Sequence, residues 1–286
     1  MRIEVNGARL FFDVEGLKLV SDGATMREQS TLILIHGAPG FTDHTSLKPQ
    51  FSALADSAQL IYLDLSGAGR SDATPDEKYS LDRWADDLVA FCDALEIEKP
   101  VVLGVSGGGF VAAAYGIRHP EHPGKLVLAS TQAKRDPQRA AAVFERLGGV
   151  EARDAALAMF TRRATAESLA VYMQHCMPLY NRVPQDFPFA HSIVREALAM
   201  AFHDLGGIWH TMDLLDSLHR IQCPTLVLAG EDDPITPMQD SEDIVARLDP
   251  ALVRFERFPG CGHGVWLDDP ERAFAVLREF LAQPGR

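Results

Sequence analysis

A serine, an acid and a histidine, far apart in a chain of 286 residues, could together do nucleophilic chemistry. Ser106 stands in Val101-Val102-Leu103-Gly104-Val105-Ser106-Gly107-Gly108-Gly109-Phe110, a Gly-x-Ser-x-Gly pattern. With Gly near its average usage of about 7 %, roughly one chain of this length in ten would contain the pentapeptide by chance. Its setting carries more: an apolar run precedes it and a helix-like stretch follows. A serine on such a strand-to-helix turn is exposed at the C-terminal edge of a sheet, where ligands bind. Its backbone would be strained, and side chains at Gly104 and Gly108 would collide with the neighbouring strand and helix.

A serine hydroxyl is a weak nucleophile and needs a base. Of ten histidines, His119 and His122 read as helix-end surface residues. His175, His191, His203, His210 and His219 lack metal-ligand spacing and read as packing or solvated groups. His263 differs, because Gly260, Gly262 and Gly264 free its loop to swing an imidazole over a sheet edge. The orienting acid is Asp232 or Asp233, just past the run Pro224–Ala229. Thr236-Pro237 reads as N-cap and first helical residue beyond them.

These residues need a scaffold, and the hydropathy pattern supplies one. Residues 2–15 alternate around Asn6-Gly7 and predict an antiparallel hairpin. After a polar loop come four nearly continuous apolar runs, Thr31–Ile35, Leu60–Leu63, Val101–Val105 and Lys125–Ala129. Such runs are the mark of parallel strands buried on both faces. Helical spacing over Ser80–Ile97, with Ser80 as N-cap, and over Phe110–Arg118 predicts helices between them. From about Thr131 to Leu218 strand runs stop, and helices are expected at Pro137–Leu147, Glu151–Phe160, Ala166–Met177 and Phe189–Phe202. Strands resume at Pro224–Ala229 and Val253–Phe258, and a last helix covers Pro270–Ala282. The expected division is an α/β core from 1–131 and 219–286 with a helical cap from 132–218 over one sheet edge.

With these motifs in view, the chain resembles the α/β-hydrolase superfamily. The resemblance rests on His36-Gly37-Ala38-Pro39-Gly40, Asp64-Leu65-Ser66-Gly67-Ala68-Gly69-Arg70-Ser71, Gly104–Gly108, Gly230-x-x-Asp233-x-x-x-Pro237 and Gly262-His263. It implies an eight-stranded, mostly parallel sheet flanked by helices, with the cap inserted after the sixth strand. It also implies a Ser106, Asp233, His263 triad in the family's chain order, Asp232 being the fallback acid. The backbone N–H groups of Ala38 and Gly107 would form the oxyanion hole, and His36 would be a structural hydrogen-bonder.

Within the superfamily, His-Gly-x-Pro-Gly and Gly-x-Gly-Arg-Ser resemble proline iminopeptidases. Those peptidases carry a Trp after the nucleophile, where Gly107 leaves room, and a Trp-x-x-Trp-Glu pattern in the cap, where only Trp209 occurs. Glu167, Glu196 and Asp204 could bind a substrate amine but read as solvated. The expected function is therefore hydrolysis of a small, largely apolar carboxylic ester or lactone through an acyl-enzyme. The alternatives are release of N-terminal proline, or a small-molecule receptor or lyase on the same fold. Phe160, Tyr172, Met177 and Trp209, with Phe187 and Phe189 among others, are candidates for packing the cap and lining an apolar pocket.

Composition excludes other classes. The chain is 47 % hydrophobic and 23 % charged, with a formal net charge of −13. Nucleic-acid phosphates would be repelled, and no basic run suggests docking to acidic lipids. Four widely spaced cysteines do not form a secreted disulfide framework. No signal-peptide pattern is evident, so a cytoplasmic location is expected. No cofactor and no metal are expected. The partner is a small-molecule substrate, and association into a homo-oligomer stays open.

Overall fold

The computed structural model describes residues 1–74, 78–184 and 191–283. The strands are β1 (Arg2–Val5), β2 (Ala8–Glu15), β3 (Leu19–Asp22), β4 (Thr25–Glu28), β5 (Thr31–Ile35), β6 (Gln59–Leu63), β7 (Val101–Val105), β8 (Lys125–Ala129), β9 (Thr225–Gly230) and β10 (Val253–Phe258). Eight of them form one sheet in the order β1-β2-β6-β5-β7-β8-β9-β10. The pairs β1–β2 and β2–β6 are antiparallel, and every later pair is parallel. The hairpin turns at Asn6 and Gly7, both with positive φ, as an Asn-Gly turn requires.

Every residue of β5, β7 and β8 is buried, and successive side chains feed opposite cores. Ile33, Ile35 and Val102 join one core with Trp84, Leu88, Phe91 and Tyr115. Leu32, Leu34 and Leu103 join the other with Phe51, Trp266, Phe274 and Phe280. This is why the central strands read as unbroken apolar runs.

The helices are α1 (Lys48–Phe51), α2 (Leu81–Ala94), α3 (Gly107–Arg118), α4 (Pro137–Thr161), α5 (Ala166–His175), α6 (Glu196–His203), α7 (Ile208–Thr211), α8 (Met238–Val245), α9 (Val265–Asp268) and α10 (Pro270–Ala282). Ser80 caps α2 by accepting from the Arg83 N–H. Between β8 and β9 the described residues hold only helices and loops, with their own core of Phe144, Ala152, Ala156, Phe160, Tyr172 and Cys176. None of the helices is long and apolar enough to cross a membrane, among the described residues. All four cysteines are free and buried.

Several boundaries differ from expectation, each for a physical reason. The loop after residue 15 contains the β3–β4 hairpin, whose residues are mostly exposed and so carry no apolar alternation. The two expected helices around Gly148-Gly149 are joined as α4, with a kink where Gly149 takes φ 80° and ψ −171°. α6 starts at Glu196 rather than residue 189, and Phe187 and Phe189 lie outside the described residues. α8 starts at Met238, with Pro237 rather than Thr236 in the cap position. α3 begins directly after Ser106, three residues earlier than its apolar spacing indicated.

The turn between β7 and α3 is tight. A Cβ on Gly104 would lie 2.5 Å from the Gly108 carbonyl carbon and 2.7 Å from Gly109 Cα. One on Gly108 would lie 2.5 Å from the His36 carbonyl oxygen. These neighbours are backbone atoms and cannot yield without moving a strand or helix. Gly104→Ala is accordingly expected to destabilise the fold by about 3 kcal/mol. Urea unfolding measures it, and an unchanged midpoint would sink the argument.

Candidate active site

The loops leaving the C-terminal ends of β5, β7, β9 and β10 carry His36–Gly40, Ser106, Asp232-Asp233 and His263. Parallel strands thus deliver all the candidate residues to one edge of the sheet. Ser106 sits between β7 and α3 with φ 52° and ψ −119°, a backbone conformation that side-chain-bearing residues rarely adopt. Its N–H donates to the Ala129 carbonyl at 3.0 Å, and its carbonyl accepts from the Thr131 hydroxyl at 2.7 Å. Both ties anchor the turn on the end of β8.

His263 is held from several directions. Its N–H donates to the Tyr180 carbonyl at 2.6 Å, and its carbonyl accepts from Asn181 at 2.8 Å. The Gly264 N–H donates to the Ser130 hydroxyl at 3.0 Å, which brings this loop to the same β8 end that holds Ser106. Gly262 is required because a Cβ there would lie 2.9 Å from the Tyr180 carbonyl carbon.

The imidazole Nδ1 lies 2.9 Å from Asp233 Oδ2 and 3.1 Å from Oδ1. Asp233 is only 1 % exposed. Its Oδ1 also accepts the Ile235 and Thr236 N–H groups, at 2.8 and 2.9 Å, and its Oδ2 the Thr236 hydroxyl at 2.8 Å. A carboxylate with every lone-pair direction engaged cannot turn away, so it fixes the imidazole with Nδ1 protonated and Nε2 open. Asp232 instead pairs with Arg146 at 2.5 Å, away from the imidazole. A Ser106–His263 hydrogen bond is not among the contacts of the described residues. Such bonds tighten when substrate binds.

The turn after β5 is braced by His36, whose Nδ1 lies 3.0 Å from the Gly37 carbonyl and 3.1 Å from the Thr42 hydroxyl. Burial lowers the His36 pKa, so the ring is neutral and structural. Ala38 has φ 37°, and its N lies 3.4 Å from where a Cβ on Gly107 would be. As the first residue of α3, Gly107 has an N–H with no acceptor inside the helix. Two backbone donors therefore flank the Ser106 turn.

The space beside Gly107 is not open. A Cβ there would meet Pro39 Cδ at 2.7 Å and Phe202 Cζ at 3.1 Å. The expectation that Gly107 leaves room beside the nucleophile is thus corrected: the Phe202 ring, brought in by α6, already fills it.

α6 is fastened to the same turn. The Arg195 N–H donates to the Gly40 carbonyl at 2.7 Å, and Arg195 Nε to the Gly69 carbonyl at 2.8 Å. Asp43 Oδ2 accepts from the Ile193 N–H at 2.9 Å. Asp43, His44 and Asp64 are buried and close enough to suggest a metal cluster. Their oxygens are, however, taken up by Thr45, Ile193 and Arg70 on Asp43, and by His44 and the Arg70 N–H on Asp64. The group braces two loops.

A family model for the alpha/beta hydrolase fold matches residues 30–270. The chain belongs to the α/β-hydrolase family. It is 29 % identical over 265 residues to a 2-hydroxymuconate semialdehyde hydrolase of Pseudomonas sp. (strain CF600), covering 88 % of this chain and 87 % of the relative. The crystal structure of proline iminopeptidase from Mycobacterium smegmatis superposes with a TM-score of 0.79 at 26 % identity, covering 98 % of this chain and 97 % of that one. An N-acyl homoserine lactone degrading enzyme, Est816, superposes at 0.64 with 27 % identity, covering 98 % and 100 %.

In this α/β-hydrolase the four pocket candidates are brought together. The Phe160 ring lies 5.6 Å from Tyr172 and 5.6 Å from Trp209. Met177 packs at the border of the same cluster. Spacing alone missed how Tyr180 links it to the imidazole: its hydroxyl lies 2.7 Å from that of Tyr172, and its ring 5.9 Å from His263. Glu167, Glu196 and Asp204 are all exposed.

His203, read from sequence as a packing or solvated group, packs edge-on against Trp209 at 5.6 Å with its Nε2 buried and unpartnered. Burial pushes its pKa down to about 3, against the pull of the Pro39 carbonyl. Below its ordinary value of 6.5 the unfolded histidine binds a proton that the folded one refuses. Stability should then fall with pH by roughly 1 kcal/mol per unit below that value. His203→Gln is expected to flatten the acid limb of the melting-temperature profile, and parallel slopes in both proteins would refute this.

Proposed function

We propose that this protein is a serine hydrolase that cleaves a carboxylic ester or lactone through an acyl-enzyme. The observation that carries the reading is the buried Asp233–His263 pair at the sheet edge where Ser106 occupies its strained turn. His263 Nε2 takes the Ser106 hydroxyl proton as Oγ attacks the carbonyl carbon, and Asp233 stabilises the imidazolium. The oxyanion is received by the Ala38 and Gly107 N–H groups, donors that typically contribute about 3 kcal/mol each to the transition state. Collapse breaks the bond to the alkoxy oxygen, which leaves with the proton from His263. Water, deprotonated by the same nitrogen, then releases the acid and restores Ser106. No step needs a cofactor.

The segment 132–218 acts as the cap in this reading, and the substrate is a small molecule reached in the cytoplasm. The names of two relatives, a lactone degrading enzyme and a semialdehyde hydrolase, support hydrolysis of a small carbonyl compound. The likeness to proline iminopeptidase supports a second reading, release of N-terminal proline. Against it stand the exposure of Glu167, Glu196 and Asp204, which leaves none of these three to meet a substrate ammonium inside the site.

A p-nitrophenyl ester series run beside prolyl-p-nitroanilide tests the proposal. Turnover of the esters is expected, whereas release from the prolyl amide alone would transfer the assignment to the peptidase. Tight ligand binding with no turnover of either would favour a receptor.

A further inference from the structure

Arg135 lies in the aromatic cluster described above, and its chemistry does not suit an apolar pocket. Its guanidinium carbon lies 3.9 Å from the Trp209 ring centre and 4.7 Å from that of Phe160. Nη1 donates to the Phe160 carbonyl at 3.1 Å and to His210 Nδ1 at 2.8 Å, while the His210 Nε2–H faces the His203 carbonyl at 3.1 Å. These contacts fasten the end of α4 to α7 and engage Nη1 alone. Nη2 is buried and has no hydrogen-bond partner. Among the described residues Arg135 forms no ion pair, although the chain has 40 acidic residues against 27 basic ones. Burial lowers its pKa to about 10 with no carboxylate opposing the shift.

Arg135 is half-buried, and a donor shut away from water without a partner costs free energy. An arriving carboxylate would supply the missing charge and accept from Nη2, in the planar geometry that guanidinium favours. The position fits such a ligand. From Arg135 one line of contacts runs through Phe160, Tyr172 and Tyr180 to His263. Another runs through Trp209, His203 and Phe202 to Gly107. Arg135 therefore stands across the aromatic cluster from both the base and the oxyanion donors.

We propose that Arg135 positions the substrate by binding a free carboxylate, so that preferred substrates are acids carrying an ester or lactone some carbons from that carboxylate. The inference rests on the hydrolase reading above and narrows its substrate class from largely apolar to anionic. It also opposes the peptidase reading, because a half-buried guanidinium repels a substrate ammonium.

The test compares the monomethyl esters of succinate, glutarate and adipate with methyl butyrate, valerate and hexanoate, acid release being followed at constant pH. In the unmodified enzyme at least one hemi-ester is expected to exceed its neutral counterpart in kcat/KM by roughly tenfold or more. Arg135→Met should remove that preference chiefly through KM, and Arg135→Lys should restore part of it, which a purely structural role would not do. If the variants do not fold, the substrate preference of the unmodified enzyme and its inhibition by millimolar adipate decide alone. Equal turnover of hemi-esters and neutral esters, with no inhibition by dicarboxylates, overturns the assignment of Arg135 and leaves the hydrolase reading standing. Calorimetric binding of adipate that Arg135→Met abolishes, in an enzyme that turns over no ester, would uphold Arg135 and overturn the hydrolase. With neither turnover nor binding, both fall.

Discussion

Ser106→Ala is expected to reduce ester turnover by about 10⁴-fold or more while leaving the fold and melting temperature nearly unchanged. The hydroxyl makes no hydrogen bond with the described residues, so its removal leaves no buried partner unsatisfied. The backbone ties of the turn, from Ser106 N–H to Ala129 and from Thr131 to the Ser106 carbonyl, do not involve the side chain. The strained φ of 52° is as accessible to alanine as to serine. Initial rates on a p-nitrophenyl ester measure the loss. A fluorophosphonate probe followed by mass spectrometry is expected to label Ser106 in the parent protein and nothing at that position in the variant. Activity within tenfold of the parent would remove Ser106 from the mechanism.

Asp233→Asn is expected to cost about 10⁴-fold in kcat, for a reason specific to this carboxylate. Its Oδ1 accepts two backbone N–H groups, those of Ile235 and Thr236. An asparagine must keep its oxygen there, since an NH₂ would face two donors. The NH₂ is thereby forced onto the Oδ2 side, against the Thr236 hydroxyl and His263 Nδ1. It would donate to Nδ1, shift the imidazole proton to Nε2 and leave no base for Ser106. Asp232→Asn removes only a partly exposed ion pair with Arg146 and is expected to change kcat by less than about threefold. If the two variants rank the other way, the acid has been misassigned.

Much of the fold is legible in the sequence because burial on both faces writes itself as apolar runs. β5, β7 and β8 begin and end where those runs do, and Ser80 marks the start of α2 by its capping chemistry. The turn between β7 and α3 is legible because backbone on both sides excludes every residue but glycine at 104 and 108. The β3–β4 hairpin is not, since mostly exposed strands carry no hydrophobic signal. The setting of Arg135 is hidden for the opposite reason. A charged side chain reads as surface, and only the tertiary structure lays Trp209 and Phe160 over it. The placing of Phe202 beside Gly107 depends on how α6 is fastened to the sheet edge, a long-range contact that no local pattern records.

That fastening has a mechanical consequence. Arg195 grips the carbonyls of Gly40 and Gly69, Ile193 hangs on Asp43, and Ala199 lies so near Gly40 that no Cβ fits between them. The front of α6 and the Pro39-Gly40 turn thus behave as one rigid bracket. Swinging the helical cover outward through this segment would drag the Ala38 amide with it. The same cover is tied to the sheet edge a second time, where the Tyr180 carbonyl and the Asn181 side chain hold the His263 backbone. Any displacement of the α6 end is thereby also a displacement of the turn that carries the Ala38 amide.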